Sequence, residues 1–178
     1  NYPLFKEIEN HKNYLTPKLT FRYSPNETKN TTDHDVIVNY DSVFGLDRIG
    51  RSDMVEGGPP SITLGIDYVK KQNDEEIFGW GIATSLRSKE NVDLPTKSTL
   101  GQKSSDFFGK IDFNPSKSFG LNYNFNLDNN LDQLNYQSIA ANLITSNITT
   151  SFNFAMEDNF YGNNKYISNY STYNKDDH

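Results

Sequence analysis

The segment Phe119–Leu127 alternates strictly between large apolar side chains and small or polar ones. A period of two places these two sets on opposite faces of an extended strand. The apolar set is Phe119, Leu121, Tyr123, Phe125 and Leu127, and the polar set is Gly120, Asn122, Asn124 and Asn126. The apolar face would meet a second sheet in a soluble sandwich, or lipid in an outer-membrane barrel with a wet lumen. The solvent of that face therefore decides the architecture.

The same alternation recurs along the chain and predicts eight or nine strands joined mostly by hairpins. Strands are predicted over residues 15–23, 62–68, 78–86, 107–113, 119–127, 134–143, 148–156 and, from a weaker pattern, 166–173. We also predict a short strand over 36–40, and over 1–14 a polar, irregular segment that is a loop or the incoming end of a strand. In the 78–86 stretch, one side carries only small residues and an arginine, which indicates close approach of another chain or a plug. These small residues are Gly79, Gly81, Ala83 and Ser85.

The composition agrees with strands that have one aromatic face and one amide-rich face. Only 34% of the 178 residues are hydrophobic, yet 13% are aromatic, whereas disordered chains are poor in aromatic residues. The net charge is −6, with acidic and basic residues interspersed. Clustered Lys and Arg would mark a nucleic-acid surface, so no nucleic-acid partner is predicted. Transmembrane helices need about twenty apolar residues, but a membrane-crossing strand needs only about ten alternating ones.

The connections between the predicted strands alternate in length. Those after Tyr40 and Leu86 are long, whereas those near Lys71 and Asn114 are short. Short turns at one rim and long loops at the other are typical of outer-membrane barrels. We therefore predict an all-β fold, an antiparallel transmembrane β-barrel segment, with residues 1–178 forming one incomplete domain of a larger barrel.

A secreted β-sandwich that binds carbohydrate is the alternative. Its stacking platform would be Tyr166, Tyr170 and Tyr173, which in a barrel would instead belong to the interfacial girdle. A requirement for detergent would distinguish the two architectures.

Motifs for catalysis or metal binding are weak. Asp128, Asn130 and Asp132 resemble the beginning of a calcium loop, but Gln133 and Ile139 occupy the positions of its glycine and bidentate glutamate. The histidines His11, His34 and His178 are scattered, and there is no cysteine. No nucleophile motif is present, so we predict no enzyme activity, no metal site and no cofactor. Asp47 and Arg48 are interpreted as an ion pair that stabilises the irregular turn between Gly45 and Gly50. The alternative is that this pair contacts a partner protein or the sugar and phosphate of a substrate.

Three segments carry a further signal: Leu-Thr-Pro-Lys-Leu at 15–19, Phe-Gly-Leu-Asp-Arg-Ile-Gly at 44–50 and Val-Glu-Gly-Gly at 55–58. Leu-Gly-Gln at 100–102, Ser-Asp at 105–106, Leu-Asn-Tyr at 121–123 and Leu-Asp at 127–128 follow at matching intervals. Together, over residues 15–136, they resemble the C-terminal barrel region of LptD, the lipopolysaccharide-assembly outer-membrane protein family. The most specific part of this resemblance is Gly45, Leu46, Asp47, Arg48 and Ile49.

The resemblance implies a very large barrel in the outer membrane of a Gram-negative cell. The barrel would be plugged by the lipoprotein LptE and preceded by a periplasmic domain, absent from this stretch, that joins it to the Lpt bridge. The chain would be a middle slice of this barrel, which delivers lipopolysaccharide to the outer leaflet. Asn122, Asn124 and Asn126 would then face the lumen and contact lipopolysaccharide or LptE. The lipid-facing residues would be Phe119, Leu121, Tyr123, Phe125 and Leu127.

Overall fold

Nine antiparallel strands form one sheet in the computed structural model, which describes residues 3–8, 10–27, 29–50, 56–159 and 162–173. The strands are β1 (Leu4–Ile8), β2 (His11–Ser24), β3 (Gly58–Gln72), β4 (Glu75–Arg87), β5 (Phe107–Ser116), β6 (Phe119–Leu127), β7 (Leu134–Ile144), β8 (Ile148–Asn159) and β9 (Gly162–Tyr173). Each strand pairs with the next one along the chain, and β1 and β9 are the edges of the sheet. The all-β antiparallel prediction is therefore confirmed.

The period-two pattern located most strands correctly. Strand β6 has the predicted bounds, and the other predicted strands are extended by a few residues. The segment 1–14, predicted to be a loop or an incoming strand end, contains the whole of β1 and the beginning of β2, so the loop alternative is wrong. The segment 36–40 is not a strand. Its side chains Val38 and Tyr40 are buried against the face of the sheet rather than alongside a strand edge, so its backbone joins no ladder.

The connections differ in length at the two ends of the sheet, as predicted. At one end, Asn73 and Asp74 join β3 to β4 with φ angles of 52° and 64°, the left-handed conformation of a tight hairpin turn that Asn and Asp tolerate. At the other end, residues 25–57 join β2 to β3 and residues 88–106 join β4 to β5. The only helical element in the described parts of the chain is a 3₁₀ turn, Thr96–Ser98. None of the described residues forms a helix long and apolar enough to cross a membrane.

The two faces of the sheet are covered to very different extents. On the apolar face, the side chains of Leu19 and Phe21 are 67% and 66% exposed. On the opposite face, Thr63 and Ser85 are only 2% and 3% exposed. The buried apolar core lies on this second side, where the two long loops pack against Ala83 and Phe108. Over β2 to β5 the sheet is thus inverted relative to a soluble protein, because its polar face is buried and its apolar face is open.

The sandwich alternative is wrong for the described part of the chain, since all nine strands belong to one sheet. Its proposed stacking platform is not formed either. Tyr166 pairs with Ala155 and Tyr170 with Ser151, on the polar face, whereas Tyr173 pairs with Ile148 and lies on the apolar face. Residues at an odd spacing along a strand point to opposite faces, so these tyrosines do not act as one surface.

Candidate functional site

The polar face carries a hydrogen-bonded ladder of asparagines on β6. Asn122 Nδ2 donates to Asp112 Oδ1 at 2.6 Å, and Asn124 Nδ2 donates to Asn122 Oδ1 at the same distance, 2.6 Å. Asn126 Nδ2 donates to the main-chain oxygen of Val38 at 2.8 Å. The three asparagines singled out from the sequence therefore lie together on the face against which the 25–57 loop packs. The alternating set from Phe119 to Leu127 lies on the opposite face.

Tyr40 is the aromatic anchor of the 25–57 loop. Its ring lies against Gly81, where a Cβ atom would be 2.6 Å from the ring carbon Cζ. Its hydroxyl donates to Asp67 Oδ1 at 2.9 Å. The ammonium groups of Lys18 and Lys110 lie 4.9 and 5.2 Å from the ring centroid, within the range of cation–π attraction.

Phe44 lies in the same way against Gly65, where a Cβ atom would be 2.6 Å from its ring. The small residues of β3 and β4 thus allow rings to approach the backbone. The sequence predicted such an approach by another chain or a plug. The structure places there a loop of the same chain.

A buried salt bridge joins Arg48 to Glu56, eight residues further along the loop. Arg48 Nε is 2.6 Å from Glu56 Oε2, and Arg48 Nη2 is 2.7 Å from Oε1. Arg48 also donates to three strand hydroxyls, those of Ser61 (3.2 Å), Thr63 (3.0 Å) and Ser85 (3.1 Å). The planar guanidinium satisfies this geometry because its donors form a rigid fork. The loop is thereby bonded to β3 and β4.

Two further arginines from the strands reach the same carboxylate. Arg22 Nη1 is 3.4 Å from Glu56 Oε2, and Arg87 Nη2 donates to Oε1. Burial alone would raise the pKa of Glu56, but the hydrogen bonds and charges of Arg48, Arg87 and Arg22 outweigh it and hold this pKa below its ordinary value. Glu56 is therefore an ionised carboxylate shared by three cations.

The five residues of the family-like stretch have different environments. Leu46 and Asp47 are exposed, whereas Arg48 and Ile49 are buried, and the main-chain oxygen of Gly45 accepts a hydrogen bond from Arg22 Nη2 at 2.5 Å. Within the described residues the salt bridge of Arg48 is with Glu56, so the interpretation of Asp47 as its partner is wrong. Glu56 lies in residues 55–58, the third segment that carried the resemblance. That segment was the sequence signal from which Glu56 could have been identified as the partner of Arg48. Val55 of that segment lies outside the described residues.

A cavity of about 440 Å³ lies at the long-loop end of β6 and β7. Asp106, just before β5, is buried in its wall and accepts a hydrogen bond from Asn135 Nδ2 at 2.8 Å. Burial raises the pKa of Asp106 to about 6. Asp128 also lines the cavity, and its Oδ1 accepts the N–H groups of Asp132 and Gln133 at 2.9 and 3.1 Å. The calcium-like sequence around Asp128 therefore closes a turn.

The described residues contain no group of three or more His, Cys, Asp or Glu side chains arranged to hold a metal ion. His11 and His34 lie in different parts of the fold, β2 and the 25–57 loop. His178 lies outside the described residues.

Comparison with known proteins identifies the family. The family model for LptD, LPS transport system D, matches residues 1–175. The chain belongs to the LptD family. No curated protein matches it. The LptD family acts in lipopolysaccharide transport and assembly in the outer membrane. An apolar sheet face left open over nine strands agrees with that location.

The LptD match extends beyond residues 15–136, over which the resemblance was recognised, and includes β1, β8 and all of β9. Several of the short segments that carried the resemblance lie close together around the 25–57 loop, which is docked on the polar face of the sheet. Lys18 of the first segment contacts the Tyr40 ring, Arg48 of the second bonds Glu56 of the third, and the carbonyl of Leu100 accepts a hydrogen bond from Arg87. These segments of the LptD-family chain therefore form one structural unit, the loop and its anchoring strands.

Proposed function

We propose that this chain forms part of the wall of a larger outer-membrane barrel that passes lipopolysaccharide to the outer leaflet. Its polar face lines the lumen, where the saccharide travels, while the acyl chains leave sideways into the membrane. Residues 1–178 act as one incomplete barrel domain. An LptE-like lipoprotein plugs the lumen, and a periplasmic domain of the same protein connects the barrel to the Lpt bridge.

The inverted burial of the sheet carries this proposal. Apolar side chains of β2 to β8 are exposed on one face: Leu19, Phe21, Ile62, Leu64, Leu86, Phe113, Leu143 and Phe152. In water, a contiguous apolar surface of this extent would drive association. In a bilayer the same surface is solvated by acyl chains, and the polar face is directed to the lumen. Phe119, Leu121, Tyr123, Phe125 and Leu127 belong to this lipid-facing set.

The chemistry of the polar face suits transient contact with sugar. Asn122 and Asn124, which are half-buried, offer neutral amides, whose hydrogen bonds are about half as strong as charge-assisted ones. Asn126 is instead buried beneath the 25–57 loop. Charged groups nearby are paired, for example Lys18 with Asp67 at 2.5 Å and Lys110 with Asp41 at 2.7 Å. A saccharide can therefore exchange hydrogen bonds along this surface without being held by an unpaired charge.

The plug has a suitable surface on β7 to β9, beyond the docked loop. Asn142, Asn153, Tyr166 and Tyr170 are exposed there, on the polar face. Tyrosine and asparagine side chains are common in protein interfaces that combine apolar contact with hydrogen bonds. We assign this area to the LptE-like partner.

Neighbouring residues on opposite faces of β8 provide the test. Phe152 and Asn153 are both exposed and differ only in the face to which they point. A photo-crosslinking amino acid at Asn153 of the full-length protein should capture the plug lipoprotein or lipopolysaccharide. The same probe at Phe152 should capture phospholipid. Capture of lipoprotein at Phe152 and phospholipid at Asn153 would reverse the faces, and unchanged surface lipopolysaccharide after depletion would exclude the transport role.

A further inference from the structure

The cavity beside Asp106 is lined by several elements of the chain and is not filled by the 25–57 loop. It lies between the 88–106 loop, the β6–β7 connection and β8, at the long-loop end of the sheet. Its volume of about 440 Å³ is within the range of small-molecule sites. Among the residues that line it are Lys97, Thr99, Asp106, Asn126, Gln133 and Tyr136.

Asn126 belongs to the buried part of this cavity's wall. The residue is only 3% exposed, and its Nδ2 donates to the Val38 carbonyl at 2.8 Å, which orients the amide. Its Oδ1 has no hydrogen-bond partner among the described residues. Buried side-chain oxygens are nearly always hydrogen-bonded, because leaving one unpaired forfeits its hydration. This oxygen is closed off from solvent, so Asn126 shapes the wall, and the acceptors offered to a bound molecule are those of Asp106 and Gln133.

The rest of the wall supplies mainly acceptors and amides. Asp106 and Asp128 contribute carboxylates, and Gln133 contributes a side-chain amide. Lys97 is the cation of this wall, and its Nζ lies 2.7 Å from Asp35 Oδ1 and 2.6 Å from Glu157 Oε1. A ligand with phosphate would meet carboxylates here, so the wall disfavours an anion.

A metal ion fits less well than a donor-rich organic molecule. The described residues provide no group of three acidic or histidine side chains arranged as ligands. Asp128 already uses Oδ1 to bond the N–H groups of its own turn. Tyr136 adds an aromatic surface beside the polar groups. Hydroxyl groups donate and accept, and a pyranose ring has an apolar face, so a sugar matches both parts of this wall.

We propose that this cavity binds an uncharged saccharide unit of the outgoing lipopolysaccharide, with sugar hydroxyls donating to Asp106 and to the amide oxygen of Gln133. The proposal rests on the proposed function, since it takes the polar face to be the path of the saccharide. It adds a defined resting position on that path. The site holds the sugar at the long-loop rim, next to the loop anchored by Arg48 and Glu56.

Binding of a soluble probe tests the site. The probe is the core oligosaccharide released from lipopolysaccharide by mild acid, titrated by calorimetry into the full-length protein in detergent. Asp106→Asn should weaken binding about tenfold, because a hydrogen bond to a charged acceptor becomes a neutral one. Gln133→Ala, which alters an exposed side chain at the rim, should weaken it about threefold. The control is Asp74→Asn, a carboxylate in the tight turn at the opposite end of the sheet, which should leave the affinity unchanged.

Two results would overturn the proposal. One is equal affinity for the wild type, Asp106→Asn and Gln133→Ala. The other is binding of calcium chloride alone that depends on Asp106, with no binding of the oligosaccharide. The photo-crosslinking experiment at Asn153 reports on the lumen independently. Lipopolysaccharide capture at Asn153 without oligosaccharide binding would remove this site and leave the transport proposal intact.

Discussion

Arg48 and Glu56 form a bidentate salt bridge that is buried between the 25–57 loop and the sheet, with Nε–Oε2 and Nη2–Oε1 distances of 2.6 and 2.7 Å. Both residues belong to the loop, but three of their partners, Ser61, Ser85 and Arg87, belong to the strands. Taking two charges out of water is costly, and the cost is offset only when every donor and acceptor is paired. The loop is therefore held at the one position in which all donors and acceptors of this cluster are paired.

Replacing Glu56 should release the loop. Glu56→Gln leaves Arg48 and Arg87 buried without a counter-charge, which typically costs about 3–5 kcal/mol. We expect faster hydrogen exchange and easier proteolysis in residues 25–57 of the full-length protein, while the strands stay protected. Asp47→Asn is the control, because Asp47 is exposed in the same loop and should change stability by no more than about 0.5 kcal/mol. Unaltered protection in Glu56→Gln would contradict the anchoring role.

Adding a methyl group to Gly81 should displace Tyr40. A Cβ there would lie 2.6, 2.8 and 2.9 Å from three ring carbons, and overpacking of this kind costs about 1–3 kcal/mol. Gly79→Ala is the matched control on the same strand, because its Cβ would meet mainly the flexible end of Glu76. Thermal unfolding of both variants should show a larger loss for Gly81→Ala. A Tyr40→Val replacement should reduce the difference if the clash is the cause.

Charge on the apolar face should be far more costly than charge on the polar face. Tyr123→Arg, at the middle of β6, is expected to destabilise the barrel by about 2–4 kcal/mol if the residue is near the bilayer midplane. Asn122→Arg is the control, since its neighbour Asp112 lies 2.6 Å from the native amide and can pair with the new cation. Reversible unfolding of the full-length protein in bilayers measures both. Equal losses would contradict the assignment of lipid to the apolar face.

The buried carboxyl of Asp106 should make stability depend on pH. Its pKa is raised from 3.8 to about 6, so the folded protein binds this proton more tightly than the unfolded chain does. The contribution of Asp106 to stability is therefore highest below pH 4 and is lost as the pH rises to about 6.

Asp106→Asn should remove this pH dependence and make the ligand-free protein more stable at pH 7, by about 1–3 kcal/mol. Asp128→Asn is the opposite control. Burial would raise the pKa of Asp128, but N–H groups of Asp132 and Gln133 outweigh it and the pKa is lowered. Replacing Asp128 should therefore give no gain at pH 7. Unfolding midpoints measured from pH 4 to pH 8 would show both effects, and a loss of stability in Asp106→Asn at pH 7 would contradict the first.

Strands were predictable because their signal is local. The alternation from Phe119 to Leu127 is a property of successive residues, and an extended backbone turns that order into two faces without reference to the rest of the chain. The same rule separates Tyr170 from Tyr173, although the sequence analysis grouped them. The segment 36–40 shows the limit of the rule. Its valines alternate and pack against the core from within a loop, but its backbone pairs with no strand edge.

By itself, the amino-acid sequence determined the all-β class, the positions of most strands, the two chemical faces and the resemblance to LptD. Only the tertiary structure decided which face is covered, and by what. Tyr40 meets Gly81, Val38 meets Asn126 and Arg48 meets Ser85 through contacts across 37 to 88 residues of chain. No periodicity encodes such pairs, because they depend on how a long irregular loop folds back onto a sheet that has already placed small and polar residues beneath it.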